Sequence, residues 1–286
     1  MPRQAQFHPL RFLSAIVRDL PVCEHTKVTE LMPGAAVTPH GTVQAQKIIV
    51  CTHFPILNKH GFYFLKMYQH RSYVLALQDA PPLSAMYIDE DSRGLSLRPW
   101  RDLLLLGGGS HRTGKPGGGW RELMEVTRDV FPDATVAARW ATQDCMTLDG
   151  LPYIGRYSSR TQELFVATGF CKWGMTSAMA AASVLCDLVQ GRKNGFASLF
   201  SPSRSVLHPQ LAANTFEALR GWLTIGAPRC PHLGCALSYN AAEHTWDCAC
   251  HGSRFAESGE LIDNPETDDR QTPLPQKGRR PAAGAR

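Results

Sequence analysis

The sequence contains no apolar run of the roughly 18 residues that a membrane-spanning helix needs, so no span is expected. Its first residues lack the charged-then-apolar pattern of a secretory leader. Neither sign of charge dominates: 30 Lys and Arg against 25 Asp and Glu leave +5, much of it in Lys277, Arg279, Arg280 and Arg286. The end of the chain, 276–286, reads as a disordered tail. No basic stretch is interleaved with aromatics, which argues against nucleic-acid binding. Also missing is any Gly-x-Gly-x-x-Gly, the turn that seats a dinucleotide pyrophosphate. Gly109-x₄-Gly114-Lys115 approaches a P-loop, but Pro116 stands where Ser or Thr must bind magnesium, and it removes a backbone N–H. Nucleotide hydrolysis is disfavoured on that count. A loop over a bound ring, or a plain turn, fits the stretch better.

What is present suits a globular protein. The 286 residues are 43% hydrophobic and 19% charged, enough for one large domain and a small one. There are nine cysteines. Cys23, Cys51, Cys145, Cys171 and Cys186 are scattered, mostly among apolar residues, as small core residues would be. The other four fall between 230 and 250, with two histidines among them.

That stretch organises the chain. Arg229-Cys230-Pro231-His232-Leu233-Gly234-Cys235 is followed by Cys248-Ala249-Cys250-His251-Gly252-Ser253. Read as ligands it is Cys-x-His, then residues 233–247, then Cys-x-x-His. Two thiolates and two imidazoles are what a Rieske [2Fe–2S] centre takes, one iron by sulfur and the other by nitrogen. A Cys₂His₂ zinc site uses the same donors, but zinc fingers usually pair Cys with Cys in one knuckle. Here each knuckle supplies one Cys and one His, which favours the cluster.

The two boxes resemble those of Rieske proteins. The resemblance implies that Cys230, His232, Cys248 and His251 are the ligands and that Cys235 and Cys250 form a disulfide, as in the cytochrome bc type. Ser253 matches a serine that donates to a bridging sulfide. Phe255 stands where the cytochrome bc type has a tyrosine bonded to a ligand sulfur, which implies a lower potential. The outer nitrogens of His232 and His251 are expected to face solvent or a partner. Rieske subunits of respiratory complexes carry a membrane anchor; without one here, a soluble, cytoplasmic carrier is expected.

Upstream, Pro9–Leu20 reads as a helix with an apolar face, and Val22–Leu31, Ala35–Val37 and Val43–Cys51 as strands. Tyr68–Leu77 reads as a strand, and Gly94–Arg98 with Leu103–Leu106 as a hairpin. Trp120–Val130 is a helix, Leu164–Ala167 a buried strand, and Thr176–Val189 a small-residue helix. Before box one, only Gly221–Ile225 offers a strand.

Asp149-Gly150-Leu151-Pro152-Tyr153-Ile154-Gly155, then Ala167-Thr168-Gly169, then the small-residue helix, resembles the C-terminal flavin-binding segment of D-amino-acid-oxidase-like FAD oxidoreductases. Ile48–His53 resembles the strand returning to their dinucleotide domain. The resemblance implies flavin contacts at Thr52, His53, Thr168, Gly169, Trp173, Gly174, Met175 and Thr176. The helix N-terminus would face partial negative charge on the ring edge. Without the glycine fingerprint, the chain looks like the C-terminal part of a longer enzyme, and FAD binding by it alone should be weak or absent.

The expected fold class is α+β or α/β. A partial FAD-oxidoreductase domain, 1–204, combines a mixed sheet with an antiparallel substrate sheet at about 56–140. A linker at 205–220 and a small all-β Rieske-like domain at 221–275 follow. The expected function is an oxidoreductase passing electrons between a flavin-oxidised small molecule, the cluster and an electron-transfer partner. The alternative is a Rieske electron carrier that holds no FAD. His53, Arg71, Tyr73 and His111 are pocket candidates, and Arg71 suits a substrate carboxylate best.

Overall fold

A computed structural model describes residues 5–57, 60–91 and 94–276 of the chain. The expected tail lies, but for Gln276, outside the described residues. The chain divides into two compact units, Met1–Ile48 and Ile49–Arg286.

The first unit holds helix α1 (Pro9–Val17) and an antiparallel sheet of β1 (Glu30–Met32), β2 (Ala35–Thr38) and β3 (Gly41–Gln44). Pro9 opens α1, and the His8 Nδ1 caps it by accepting from the Arg11 N–H at 3.3 Å. Its apolar stripe, Leu10, Leu13, Ile16 and Val17, is exposed. The strand expected over Val22–Leu31 shortens to its last residues because His25, at φ 52°, leaves the extended region.

In the second unit β4 (Ile48–Val50) lies at the edge of a three-stranded sheet, with β11 (Leu164–Thr168) in the middle and β10 (Tyr153–Arg156) beyond. Helix α4 (Gly174–Val189) packs Ala181, Val184 and Leu185 onto Ile154, Phe165 and Ala167. A larger antiparallel sheet has the order β6-β7-β8-β5-β9. Its strands are β5 (Met67–Gln78), β6 (Tyr87–Ile88), β7 (Ser96–Trp100), β8 (Leu103–Arg112) and β9 (Thr135–Thr147); the short helix α2 (Tyr63–Lys66) leads into β5. An antiparallel sheet was expected here.

Helix α3 (Gly119–Val130) lies on that sheet, with Leu123 among Tyr73, Leu75, Leu77, Leu104 and Leu106. This packing accounts for Gly108 and Gly109 of the glycine-rich stretch, whereas Gly114 lies against the backbone of Ala249. Gly107–Gly109 belong to β8, and a Cβ on Gly108 would stand 3.0 Å from Leu123 Cδ2. The strand is bare so that the helix can sit close.

Helix α5 (Pro209–Leu223) replaces most of the expected linker, and Gly221–Leu223 are its last residues, not a strand. Its Ala218 is buried in one core with Cys230, Cys235, Leu237, Trp246, Cys248, Cys250 and Phe255. That shared burial, and a prolyl start capped by His208, make the segment helical. The C-terminal sheet runs β12-β13-β14-β15, an antiparallel meander of Leu237–Asn240, Thr245–Cys248, Arg254–Ala256 and Leu261–Asp263.

Candidate metal centre and its seam with the sheet

Each cysteine box is a tight knuckle. In box one the Cys230 N–H donates to Cys235 O at 2.8 Å, and the Gly234 N–H to Cys230 O at 2.9 Å. In box two the Cys248 N–H donates to Ser253 O and the Gly252 N–H to Cys248 O, both at 2.8 Å. Gly234 (φ 73°) and Gly252 (φ 96°) adopt the left-handed backbone that these turns require.

The knuckles bring the four expected ligands together. Cys230 and Cys248 are buried, and the rings of His232 and His251 meet edge to face at 4.9 Å. Cys230, Cys235 and Cys250 all hydrogen-bond to Cys248, and these bonds outweigh its burial and hold its thiol well below the ordinary value. A thiolate is the form a metal takes. His251 Nδ1 is buried and makes no hydrogen bond. Such an orphaned nitrogen beside two buried thiols fits a metal or cluster better than a plain core.

Three features were not expected. Cys235 and Cys250, the pair for which a disulfide is implied, carry separate thiols here. Their Sγ atoms and that of Cys248 lie within 4.8 Å of one another, and both share the Cys248 sulfur through hydrogen bonds instead. The two histidines are also unequal. His232 is half-exposed beside a cleft formed with Ile56, Leu57 and His60, whereas His251 is 2% exposed and edge-on to Phe64 at 5.9 Å. The reason is that box two lies against the large sheet.

The third is Arg71. It is buried, and its guanidinium grips Glu243, with Nε donating to Oε1 at 3.1 Å and Nη2 to Oε2. The carboxylate it holds is the chain's own. Glu243 also accepts from the Tyr73 hydroxyl (3.0 Å) and Arg254 (2.8 Å), and Arg254 in turn binds Asp247 (3.1 Å) and Asp263 (2.9 Å). His111 stacks on Tyr73 at 5.6 Å, and both line a cavity of about 570 Å³ closed by the C-terminal sheet and α5. Burial keeps the His111 imidazole below its ordinary value. Arg71, Tyr73 and His111 therefore belong to the seam between the sheet and the cysteine boxes.

The fourth pocket candidate reaches the same seam. His53 Nε2 lies 3.3 Å from Gln69 Oε1, and a Cβ on Gly252 would stand 2.0 Å from Gln69 Cγ. The box-two turn thus rests on the side chain that touches His53. The His53 carbonyl accepts from Thr168 Oγ1 (2.8 Å) and Cys145 Sγ (3.1 Å). Thr52, His53, Thr168 and Gly169 so gather just beyond β4 and β11. Trp173, Gly174, Met175 and Thr176 form the cap and first turn of α4, with Trp173 exposed. Gln69, Gln143, Arg112 and Glu243 were missed by sequence reasoning. The only signal was the run of polar residues Gln69 and Arg71 at alternate positions of an otherwise apolar strand face.

Two family profiles cover most of the chain. The one described as FAD dependent oxidoreductase matches residues 1–188, and the one described as Rieske [2Fe-2S] domain matches 215–275. The chain belongs to the FAD-dependent oxidoreductase family and carries a C-terminal Rieske [2Fe–2S] domain. The Bacillus subtilis protein YhfW, named for a Rieske 2Fe-2S iron-sulfur centre, is 32% identical over 93% of this chain. The chain spans 64% of YhfW's length. A D-amino acid dehydrogenase of Rhizobium rhizogenes is 28% identical over 55% of the chain and 40% of its own. Among solved structures, glycine oxidase from Geobacillus kaustophilus superposes with a TM-score of 0.55 at 23% identity, covering 64% of this chain and 53% of that one. That likeness shows the fold. No helix among the described residues is long and apolar enough to cross a membrane.

Proposed function

We propose that this chain is the electron-relaying part of a flavin-dependent oxidoreductase, with Cys230, His232, Cys248 and His251 holding the cluster. When bound, a [2Fe–2S] group supplies one-electron transfer to a module built for two-electron oxidation of a small organic molecule. The reading is carried by the contact of Gly252 with Gln69, because it sets box two beside His53, where flavin contacts are expected. The protein groups there have separable tasks. Phe64 and Gln69 exclude water from the His251 side, while His232 stays half-exposed for an electron-transfer partner. Gly169, at φ 69° with Thr147 Cγ2 2.4 Å from an added Cβ, brings the chain from β11 into α4, whose first turn would face the ring edge. FAD binding by this chain alone is proposed to be weak, since it contains no Gly-x-Gly-x-x-Gly.

Anaerobically purified chain should hold about two irons and show a Rieske spectrum. Zinc instead of iron would sink the reading. A carrier that never uses flavin is the second reading, favoured by the same missing fingerprint. Added FAD separates the two. Quenching of the flavin by the wild-type chain, weakened when Gly169 is replaced by Val, supports the first; no interaction at millimolar flavin supports the second.

A further inference from the structure

Arg112 is the last residue of β8, and its side chain crosses the seam. Nε donates to Ala249 O at 2.9 Å, Nη2 to Cys250 O at 3.1 Å, and Nη1 to Asn214 Oδ1 of α5 at 2.9 Å. The guanidinium also lies over the Tyr68 ring, 4.9 Å from its centroid. Ala249 and Cys250 are the two residues between Cys248 and His251. The next carbonyl past His251, Gly252 O, accepts from Gln143 Nε2 at 3.0 Å. Three of the four carbonyls from 249 to 252 are thus held by side chains of the large sheet, not by the C-terminal domain itself.

We propose that Arg112 is a positioning residue for the cluster site: it fixes the loop that spaces a sulfur ligand from a nitrogen ligand, and it adds fixed positive charge beside them. The charge part rests on the Rieske reading; the loop part does not. A planar fork with several donors can hold two carbonyls and an amide oxygen at once, which an ammonium cannot. Bonds from a charged donor are among the stronger ones in a protein, at roughly 1.5–3 kcal/mol each. A cation buried near a group that gains an electron favours the reduced form.

The test uses the full chain with Arg112→Lys and Arg112→Gln, read by amide hydrogen exchange at 249–252 and by the midpoint potential of the iron centre. Both variants should speed exchange about tenfold, since that is what losing one such bond implies. Arg112→Gln should lower the potential, and Arg112→Lys, which keeps the charge, should recover at least half of that fall. Loss of iron together with faster exchange also supports the proposal. Exchange unchanged in Arg112→Gln overturns it, with or without iron. Equal potentials in the two variants overturn the electrostatic part. If the parent chain holds no iron centre, the Rieske reading has failed, and exchange on the metal-free chain still decides the loop assignment.

Discussion

Lys66 shows how one buried charge shapes the pH response. Its ammonium donates to Pro202 O at 2.8 Å and sits 4.6 Å from the Tyr63 ring centroid. Burial, and then repulsion from Arg204, lower its pKa from 10.5 to about 8. Between these values unfolding at this site takes up a proton, so Lys66 contributes a rise in stability from about pH 8 to about pH 10. Urea midpoints at pH 7, 8.5 and 9.5 check this, and Lys66→Met should flatten the trend. At the centre itself, Phe255 is fully buried in the core that holds the four cysteines. Phe255→Tyr should raise the midpoint potential if its hydroxyl reaches Cys230 or Cys248. Cys248→Ser should abolish iron binding, because it removes the sulfur to which the other three donate.

At the scale of elements, α5 approaches the cysteine pair because Gly221 has no side chain. A Cβ there would stand 2.6 Å from Cys250 Sγ and 3.2 Å from Cys235 Cβ. Gly221→Ala should destabilise the C-terminal domain by about 1–3 kcal/mol through overpacking, measured by denaturant unfolding. Helix α5 is also where the sequence misled. Trp222, Leu223, Thr224 and Ile225 read as a strand, yet Gly221–Leu223 finish a helix whose start signal, His208-Pro209, lies a dozen residues earlier. Strand β5, parts of β7 and β8, and α3 were legible because their side chains alternate or repeat in step with one buried face, whereas β9, exposed over its first six residues, was not. The glycine-rich stretch was not, since nothing local says that a helix will lie on those glycines.

At the scale of the whole second unit, the seam is an ion network between residues far apart in sequence. Arg71 and Glu243 are 172 residues apart. Box spacing made the four candidate ligands readable, but no spacing rule pairs a strand arginine with a turn glutamate, so Arg71 looked available for a substrate. Among the described residues, removing Glu243 would leave Arg71 with only Asp263, at 3.8 Å, and Arg254 with Asp263 and Asp247. Glu243→Ala should therefore cost at most about 3–5 kcal/mol, seen as a lower urea midpoint. Burial would raise the Glu243 carboxyl, but Arg254 and Arg71 outweigh it and hold it below its ordinary 4.5. Its folded value lies under the unfolded one, so the stabilisation is complete above about pH 4.5 and is lost as pH falls through the folded value. Asp247, raised by burial despite Arg254, runs the other way but lies within the C-terminal domain. Acidification should thus loosen the seam first. Once the fall in intrinsic exchange rate with acid is divided out, protection at 71–73 and 240–243 should drop as pH falls below about 4.5, before that at 245–248.

Because α5 joins the large sheet to the cysteine boxes in one chain, the seam acts between tethered partners. A tether of this length keeps the local concentration of each near the millimolar range. A network of buried ions, which contributes little net affinity between free molecules, is then sufficient to keep the boxes in place. The arrangement favours fidelity of placement over strength: a misaligned C-terminal domain would strand Arg71 of the large sheet away from Glu243 and Asp263.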